Sequence, residues 1–334
     1  MTDRLNYTAH AIEDIQRQQD EFAKYPEMAE PLVDWTLDHL DQAVKFILPD
    51  RGELLDLTGF DQRHAELIKL PYPVTVIEAP FPPRPEQRLA DTKEVSSRRI
   101  GLYIEMSAAE VLSQFPGAEK PPEGTTGVLV IAVYYIDDMK HWEVSGCGAY
   151  VAYDQQAYNS VTGYNTPASL AMLEDVAAEG RKLSKMAIRS SLVPLRPVVL
   201  TGMRKKGMMT DNEIKSVMLG NLLDEQIMMV QLCTVLNCSN VEQADVPVPE
   251  KLARARAKSG KLPFYDYKVL TLKGEAAEAR RSDRGAQDGS SKRSHLRRGH
   301  IRRLGDRTTW VRPAIVNPGI ETGSVEKSYR VERP

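Results

Sequence analysis

No stretch of this sequence is apolar for long enough to cross a bilayer as a helix, which takes about 20 residues. The longest apolar run, Gly127 to Ile136, stops well short, so no membrane partner is expected. Cysteine is scarce. Cys147, Cys233 and Cys238 form an odd, spread-out set, which argues against a disulfide framework. There is no Cys-x-x-Cys pair, and no His lies at ligand spacing from a Cys, so neither a structural zinc nor any other metal is expected. The three cysteines read as small buried apolar residues. The start, Met1-Thr2-Asp3-Arg4, lacks the apolar core of a signal peptide. These absences point to a cytosolic setting.

Familiar chemical signatures are missing too. There is no Gly-x-x-x-x-Gly-Lys-Ser/Thr, Gly-x-Gly-x-x-Gly or His-Glu-x-x-His, no EF-hand loop and no Gly-x-Ser-x-Gly elbow. No cofactor is expected, and no internal repeat is evident. Gly146-Cys147-Gly148 is a Gly-x-Gly inside a candidate strand, better explained by close packing. Asp137-Asp138-Met139-Lys140 reads as a tight turn rather than a metal loop.

What the sequence does have is an ordinary core and an uneven charge. Of its 334 residues, 42% are hydrophobic and 27% charged, enough to bury a sizeable interior. The formal net charge of −2 hides an asymmetry. From Arg280 to Arg312 there are eleven Lys or Arg against three Asp or Glu. The body is therefore acidic and this segment strongly basic, a pattern that suggests a polyanion partner.

Periodicity predicts an α+β fold: a helical and antiparallel-sheet body carrying a small basic antiparallel sheet at its C-terminal end. Apolar residues recur at helical spacing through the first fifty residues, from Ile12 to Ile47, with Pro49 as the stop. Val74 to Ala79 is a β-branched run between prolines, which predicts an edge strand. Arg99 to Met106, Gly127 to Ile136 and Trp142 to Tyr153 then read as an antiparallel meander, with Pro116 to Gly127 a loop. Helices are predicted over Pro167 to Met186 and Asp211 to Cys238, with a short strand over Leu192 to Thr201. The expected organisation is a mildly acidic α+β body over 1–243, a connector over 244–262 with an exposed basic helix, and a basic β-rich module over 263–334 containing a mobile loop at 275–293.

The segment from Ser294 to Leu304 draws attention because His and Arg dominate it. Strand alternation would put Arg298, His300 and Arg302 on one face and His295, Arg297 and Arg303 on the other. Both faces are then basic and neither suits a core. Either the strand meets a polyanion, or a bulge at Gly299 re-aims His300. Arg297, Arg298, Arg302, Arg303 and Arg312 are candidate phosphate contacts. Trp310 and Tyr329, with Tyr265 and Tyr267, are candidates for stacking on bases. His295 and His300 could in principle act as general acid and base in ribonuclease-like chemistry, although no acidic partner is close by. A third reading is an interaction protein, either a virion component or an anti-defence factor, whose basic run meets an acidic protein.

The sequence also carries a resemblance. Leu262-Pro263-Phe264-Tyr265-Asp266-Tyr267-Lys268-Val269, His295-Leu296-Arg297-Arg298-Gly299-His300-Ile301-Arg302, Thr309-Trp310-Val311-Arg312-Pro313, Val325 to Val331 and, in the body, Leu70-Pro71-Tyr72-Pro73 resemble a family of uncharacterised proteins of tailed bacteriophages and related mobile elements. The resemblance implies a phage or prophage origin and a host-cytoplasm setting. It brings no activity and no catalytic residue.

Overall fold

The computed structural model describes residues 5–22, 31–55, 65–82, 96–160, 188–196, 210–272, 295–297, 300–304, 307–311 and 314–316. Among these, six helices and twelve strands form, in chain order α1 (Tyr7–Phe22), α2 (Pro31–Gln42), β1 (Val44–Ile47), β2 (Val74–Pro80), β3 (Arg98–Ser107), α3 (Ala108–Gln114), β4 (Thr126–Ile136), β5 (His141–Ala152), β6 (Ser191–Pro194), α4 (Asp211–Gly220), α5 (Leu223–Leu236), β7 (Val241–Val246), α6 (Glu250–Lys258), β8 (Tyr267–Leu272), β9 (His295–Arg297), β10 (His300–Leu304), β11 (Arg307–Val311) and β12 (Ala314–Val316).

Eight strands make one mixed sheet in the order β6-β5-β4-β3-β2-β1-β8-β7. From β2 to β6 the sheet is antiparallel, and β3 to β5 form the expected meander. β1 then lies parallel to both β2 and β8, and β7 closes the far side antiparallel to β8.

Side chains alternate across the strands, so the two faces of the sheet feed two apolar cores. On one face Ile100, Leu102, Ile104, Leu129, Ile131 and Val133 meet Ala11, Ile12 and Ile15 of α1, Val33, Leu37 and Leu40 of α2, and Val111 of α3. On the other face Phe46, Ile77, Tyr103, Val128 and Val130 meet α4 and α5. Every residue of α5 from Glu225 to Val235 is buried, so its apolar residues are not confined to one face, and Glu225, Gln226, Gln231 and Thr234 are buried among them. α3 begins with a capping box: the Ser107 side chain accepts from the Glu110 backbone N–H, and Glu110 reaches back to Ser107 N–H at 2.7 Å.

Several expectations change. Val44 to Ile47 is a strand, not the end of a helix; at four residues it is too short for a strand pattern to show in the sequence. The Val74 run is not an edge strand, because β1 and β3 flank it. Pro73 precedes it and Pro80 is its last residue, where a missing N–H costs the ladder little. The stretch expected as one helix over Asp211 to Cys238 breaks between Gly220 and Leu223. The loop before Gly127 is preceded by a helix, α3.

The expected connector and the start of the basic module are also part of the main sheet, because β7 and β8 complete it. α6 is tied to α1: Arg256 Nη2 donates to Glu13 Oε1 at 2.7 Å, and Leu262 N–H donates to the same oxygen at 2.8 Å. The helix expected over Pro167 to Met186 and the loop expected at 275–293 lie outside the described residues, as does most of the strand expected from Leu192 to Thr201 beyond β6.

Close packing explains the second glycine of the Gly-x-Gly of β5. A Cβ on Gly148 would sit 2.9 Å from the Val130 carbonyl oxygen. Cys147, Cys233 and Cys238 are all buried free thiols. No helix among the described residues is long and apolar enough to cross a membrane.

Candidate functional site

The four strands beyond the main sheet pair only with one another among the described residues. In β10 and β11, His300 lies opposite Val311, Ile301 opposite Trp310, Arg302 opposite Thr309, Arg303 opposite Thr308 and Leu304 opposite Arg307. In β9 and β12, His295 lies opposite Val316, Leu296 opposite Ile315 and Arg297 opposite Ala314. The described part of the C-terminal ribbon is thus two two-stranded antiparallel ladders, β10 with β11 and β9 with β12.

The spacers between the two ladders are equal. Residues 298–299 separate β9 from β10, and 312–313 separate β11 from β12. Gly299, where a bulge was expected, lies outside the described residues. His295 and His300 sit in different ladders, and no Asp or Glu occupies any paired position. A general acid and base acting together from these two histidines finds no support in the pairing.

Of the expected phosphate contacts, Arg297, Arg302 and Arg303 occupy paired positions, as does Trp310 of the expected stacking residues. Arg298, Arg312 and Tyr329 lie outside the described residues. Arg307, at the end of the β10–β11 ladder, was not singled out in the sequence; its place opposite Leu304 groups it with Arg302 and Arg303. Tyr267 is not available for stacking. It is buried, and its hydroxyl donates to Glu78 at 2.8 Å inside the body. Tyr265 is half-buried, with the Lys45 ammonium 3.7 Å from its ring centre and its hydroxyl donating to Asp41.

The body holds its own buried ionisable groups, and the geometry shows what they do. Glu78 on β2 is fully buried. Its carboxylate accepts from the N–H groups of Tyr7 at 3.0 Å and Thr8 at 2.8 Å. A side chain of the sheet thus satisfies the opening N–H groups of α1, where negative charge is favoured. Burial raises the Glu78 pKa, against the lowering effect of these hydrogen bonds.

Lys45 on β1 does the converse. Its ammonium donates to the carbonyls of Asp41 at 2.5 Å and Ala43 at 2.8 Å, at the C-terminal end of α2. Burial lowers its pKa to about 8. Carbonyls and an aromatic face are good partners for a cation, so this is a packed tie and not a poised amine.

A third group joins α5 to the sheet. Glu225, in the first turn of α5, is 0% exposed. Arg99 Nη1 lies 3.4 Å from Glu225 Oε1 and 3.2 Å from Asp224 Oδ2. The Arg99 guanidinium also lies over Phe81, 4.6 Å from its ring centre, and over Tyr134 at 5.2 Å. Tyr103 donates to the Glu225 carbonyl at 2.8 Å. A Cβ on Gly101 would sit 2.2 Å from the Tyr103 hydroxyl oxygen, so glycine makes room for that ring. Burial raises the Glu225 carboxyl to about 7, with Arg99 opposing the rise. Oε2 of Glu225 and Nε of Arg99 are buried without a hydrogen-bond partner. Such a carboxyl can change its protonation near neutral pH, but it sits inside the packed layer, away from solvent. Sequence reading misses this group, because nothing in a primary structure marks a carboxylate as buried.

No cluster of three or more His, Cys, Asp or Glu among the described residues could hold a metal ion. The Asp137 carboxylate of the β4–β5 turn is occupied by the Ser97 backbone N–H and hydroxyl, each at 2.6 Å. No protein-family model, curated protein or solved structure matches this chain.

Proposed function

We propose that this is a phage-type nucleic-acid-binding protein that uses its C-terminal basic ribbon, with the acidic body as scaffold. The observation that carries the reading is the composition of the ribbon's paired positions. They hold Arg297, Arg302, Arg303 and Arg307 with His295 and His300, and no acidic residue. Phosphate contacts through Arg supply most of the affinity of such interfaces. The resemblance in the sequence adds a setting, the cytoplasm of a bacterial host.

The test is binding of labelled single- and double-stranded DNA and RNA to the full-length protein across a salt series. Its comparison is a full-length variant carrying Arg297→Gln, Arg302→Gln, Arg303→Gln and Arg307→Gln. The expected result is binding that weakens steeply with salt and is lost in the variant. Failure to bind any nucleic acid at low salt would remove the reading and leave an acidic protein as the partner to seek. Cleavage of the RNA probe that disappears with His300→Ala, while binding survives, would instead favour the ribonuclease alternative.

A further inference from the structure

We infer that α6 is a second contact for the nucleic acid, gripping its phosphate backbone without regard to sequence; this rests on the nucleic-acid reading above. The observation is a stripe of cations that the fold does not use. Between Pro247 and Leu262 the sequence has five Lys or Arg and one carboxylate, Glu250. At 3.6 residues per turn, Lys251, Arg254 and Lys258 fall within about 60° of arc on α6. All three are exposed, and so is Lys261, just past the end of the helix.

The other side of the helix fixes it to the body. Arg256 is buried. Its Nε donates to the Leu262 carbonyl at 2.9 Å and its Nη2 to Glu13 at 2.7 Å, and the guanidinium lies over Phe264, 4.1 Å from the ring centre. A Schellman motif closes the helix. The Gly260 N–H donates to the Ala257 carbonyl at 3.1 Å and the Lys261 N–H to the Arg256 carbonyl at 3.2 Å, with Gly260 at φ +64°. The stripe is thus carried on a fixed frame.

Helix stability does not explain the stripe. Lys251 stands in the first turn, where the helix dipole disfavours a cation. Lys251 and Arg254 are three residues apart, and Arg254 and Lys258 four; like charges repel at these spacings. Nor does pairing within the body explain it. Arg254 meets Glu250, but the ammonium groups of Lys251, Lys258 and Lys261 have no partner among the described residues. Elsewhere Lys69, Lys215 and Lys268 are paired with Glu105, Glu119 and Asp245. The carboxylates nearest in the chain and across the joint are taken: Glu13 by Arg256 and the Leu262 N–H, Asp245 by Lys268, and Asp266 by the Val248 N–H.

A row of unpaired cations on a fixed helix suits a row of phosphates. From Lys251 to Lys258 the helix rises about 10 Å, and duplex DNA carries one negative charge per about 1.7 Å of its axis, so the stripe can meet several at once. Such contacts position a ligand and carry no sequence information. A helix that lies on a membrane needs an apolar face free to enter the lipid, whereas the face of α6 opposite the stripe is committed to α1.

The experiment measures binding of the full-length protein to labelled DNA and RNA, single- and double-stranded, in two unrelated sequences and across a salt series. Three variants accompany it: Lys251→Gln/Arg254→Gln/Lys258→Gln on α6, Arg17→Gln/Lys120→Gln/Lys140→Gln, which removes the same charge from other exposed positions of the body, and Glu250→Gln, which frees Arg254. Vesicles rich in phosphatidylserine serve as a second polyanion.

The α6 variant is expected to lose about tenfold in affinity on both sequences, with a salt slope smaller by about three. The control variant should stay within about twofold with its slope unchanged, and Glu250→Gln should bind about twofold tighter. An α6 variant that binds like the natural protein would overturn this inference and leave the ribbon as the nucleic-acid site. An equal loss in the control variant would reduce the effect to net charge and overturn it too, as would a loss confined to one sequence. Vesicle binding that the α6 variant loses while nucleic-acid binding is unchanged would assign the stripe to a lipid surface instead. No binding of the natural protein to any nucleic acid would remove both this inference and the reading it rests on. Unchanged circular dichroism of each variant excludes loss of fold as the cause.

Discussion

The main sheet and the C-terminal ribbon are both built of paired strands, and they treat charge in opposite ways. In the sheet the buried ionisable groups each have a task within the fold. Glu78 satisfies the start of α1, Lys45 the end of α2, and Arg99 holds Asp224 and Glu225. In the ribbon four arginines share the paired positions with no carboxylate among them. Charges that stabilise a fold come with partners of opposite sign or with backbone dipoles. Charges of one sign gathered on a narrow element find their partner in another molecule. On the function proposed above, recognition falls to the second of these regions.

Substitutions sharpen the contrast. The largest effect is expected from Arg99→Met, which leaves a buried carboxylate without its cation. Unfolding in urea at pH 8 should show a loss of about 3–5 kcal/mol, typical of breaking a buried pair, and the loss should shrink toward pH 5 as Glu225 takes up a proton. A cost under about 1 kcal/mol at pH 8 would mean that water reaches the pair and that the contrast with the ribbon is overdrawn.

Next comes the pH dependence of Glu225 itself. Its folded value of about 7 lies above the 4.5 of a free glutamate. The folded state therefore holds a proton that the unfolded state releases. This contribution is fully present below about 4.5 and is lost as pH rises through about 7. Across that window the difference in stability between the natural protein and Glu225→Gln should change by about 3 kcal/mol. A difference that stays flat with pH would show that Glu225 is ionised throughout.

The smallest effect is expected from the ribbon variant Arg302→Gln/Arg303→Gln/Arg307→Gln, which should alter unfolding by less than about 0.5 kcal/mol. A larger loss would mean that the ribbon's arginines serve the fold after all.

Much of the body could be read in advance, for reasons visible in particular residues. The meander from Arg98 to Ala152 was legible because its strands are long β-rich runs, the second and third divided by Asp137-Asp138-Met139-Lys140. β1 was not, since four residues carry too little pattern against a preceding helix. β7 was missed because Glu242, Gln243 and Asp245 make it polar, as suits the last strand of the sheet's order. Tyr267 looked like a stacking residue and is an interior hydrogen-bond donor, a distinction made only by its partner Glu78, distant in sequence. In the ribbon the residue types were legible and the pairing was not: alternation placed cations on both faces and the two histidines on opposite ones, but only the register puts His295 and His300 in different ladders.

The place of β8 also sets an order of events during synthesis. β1 forms early in the chain, yet one of its edges waits for Tyr267–Leu272. The hydroxyl that completes the environment of Glu78 arrives in the same stretch. Closing contacts across so many residues is slow, and until they close, a nascent chain carries an open strand edge that can pair wrongly. The ribbon is made after β8. A ribosome thus releases the basic arm only once the strand that completes the body has been translated.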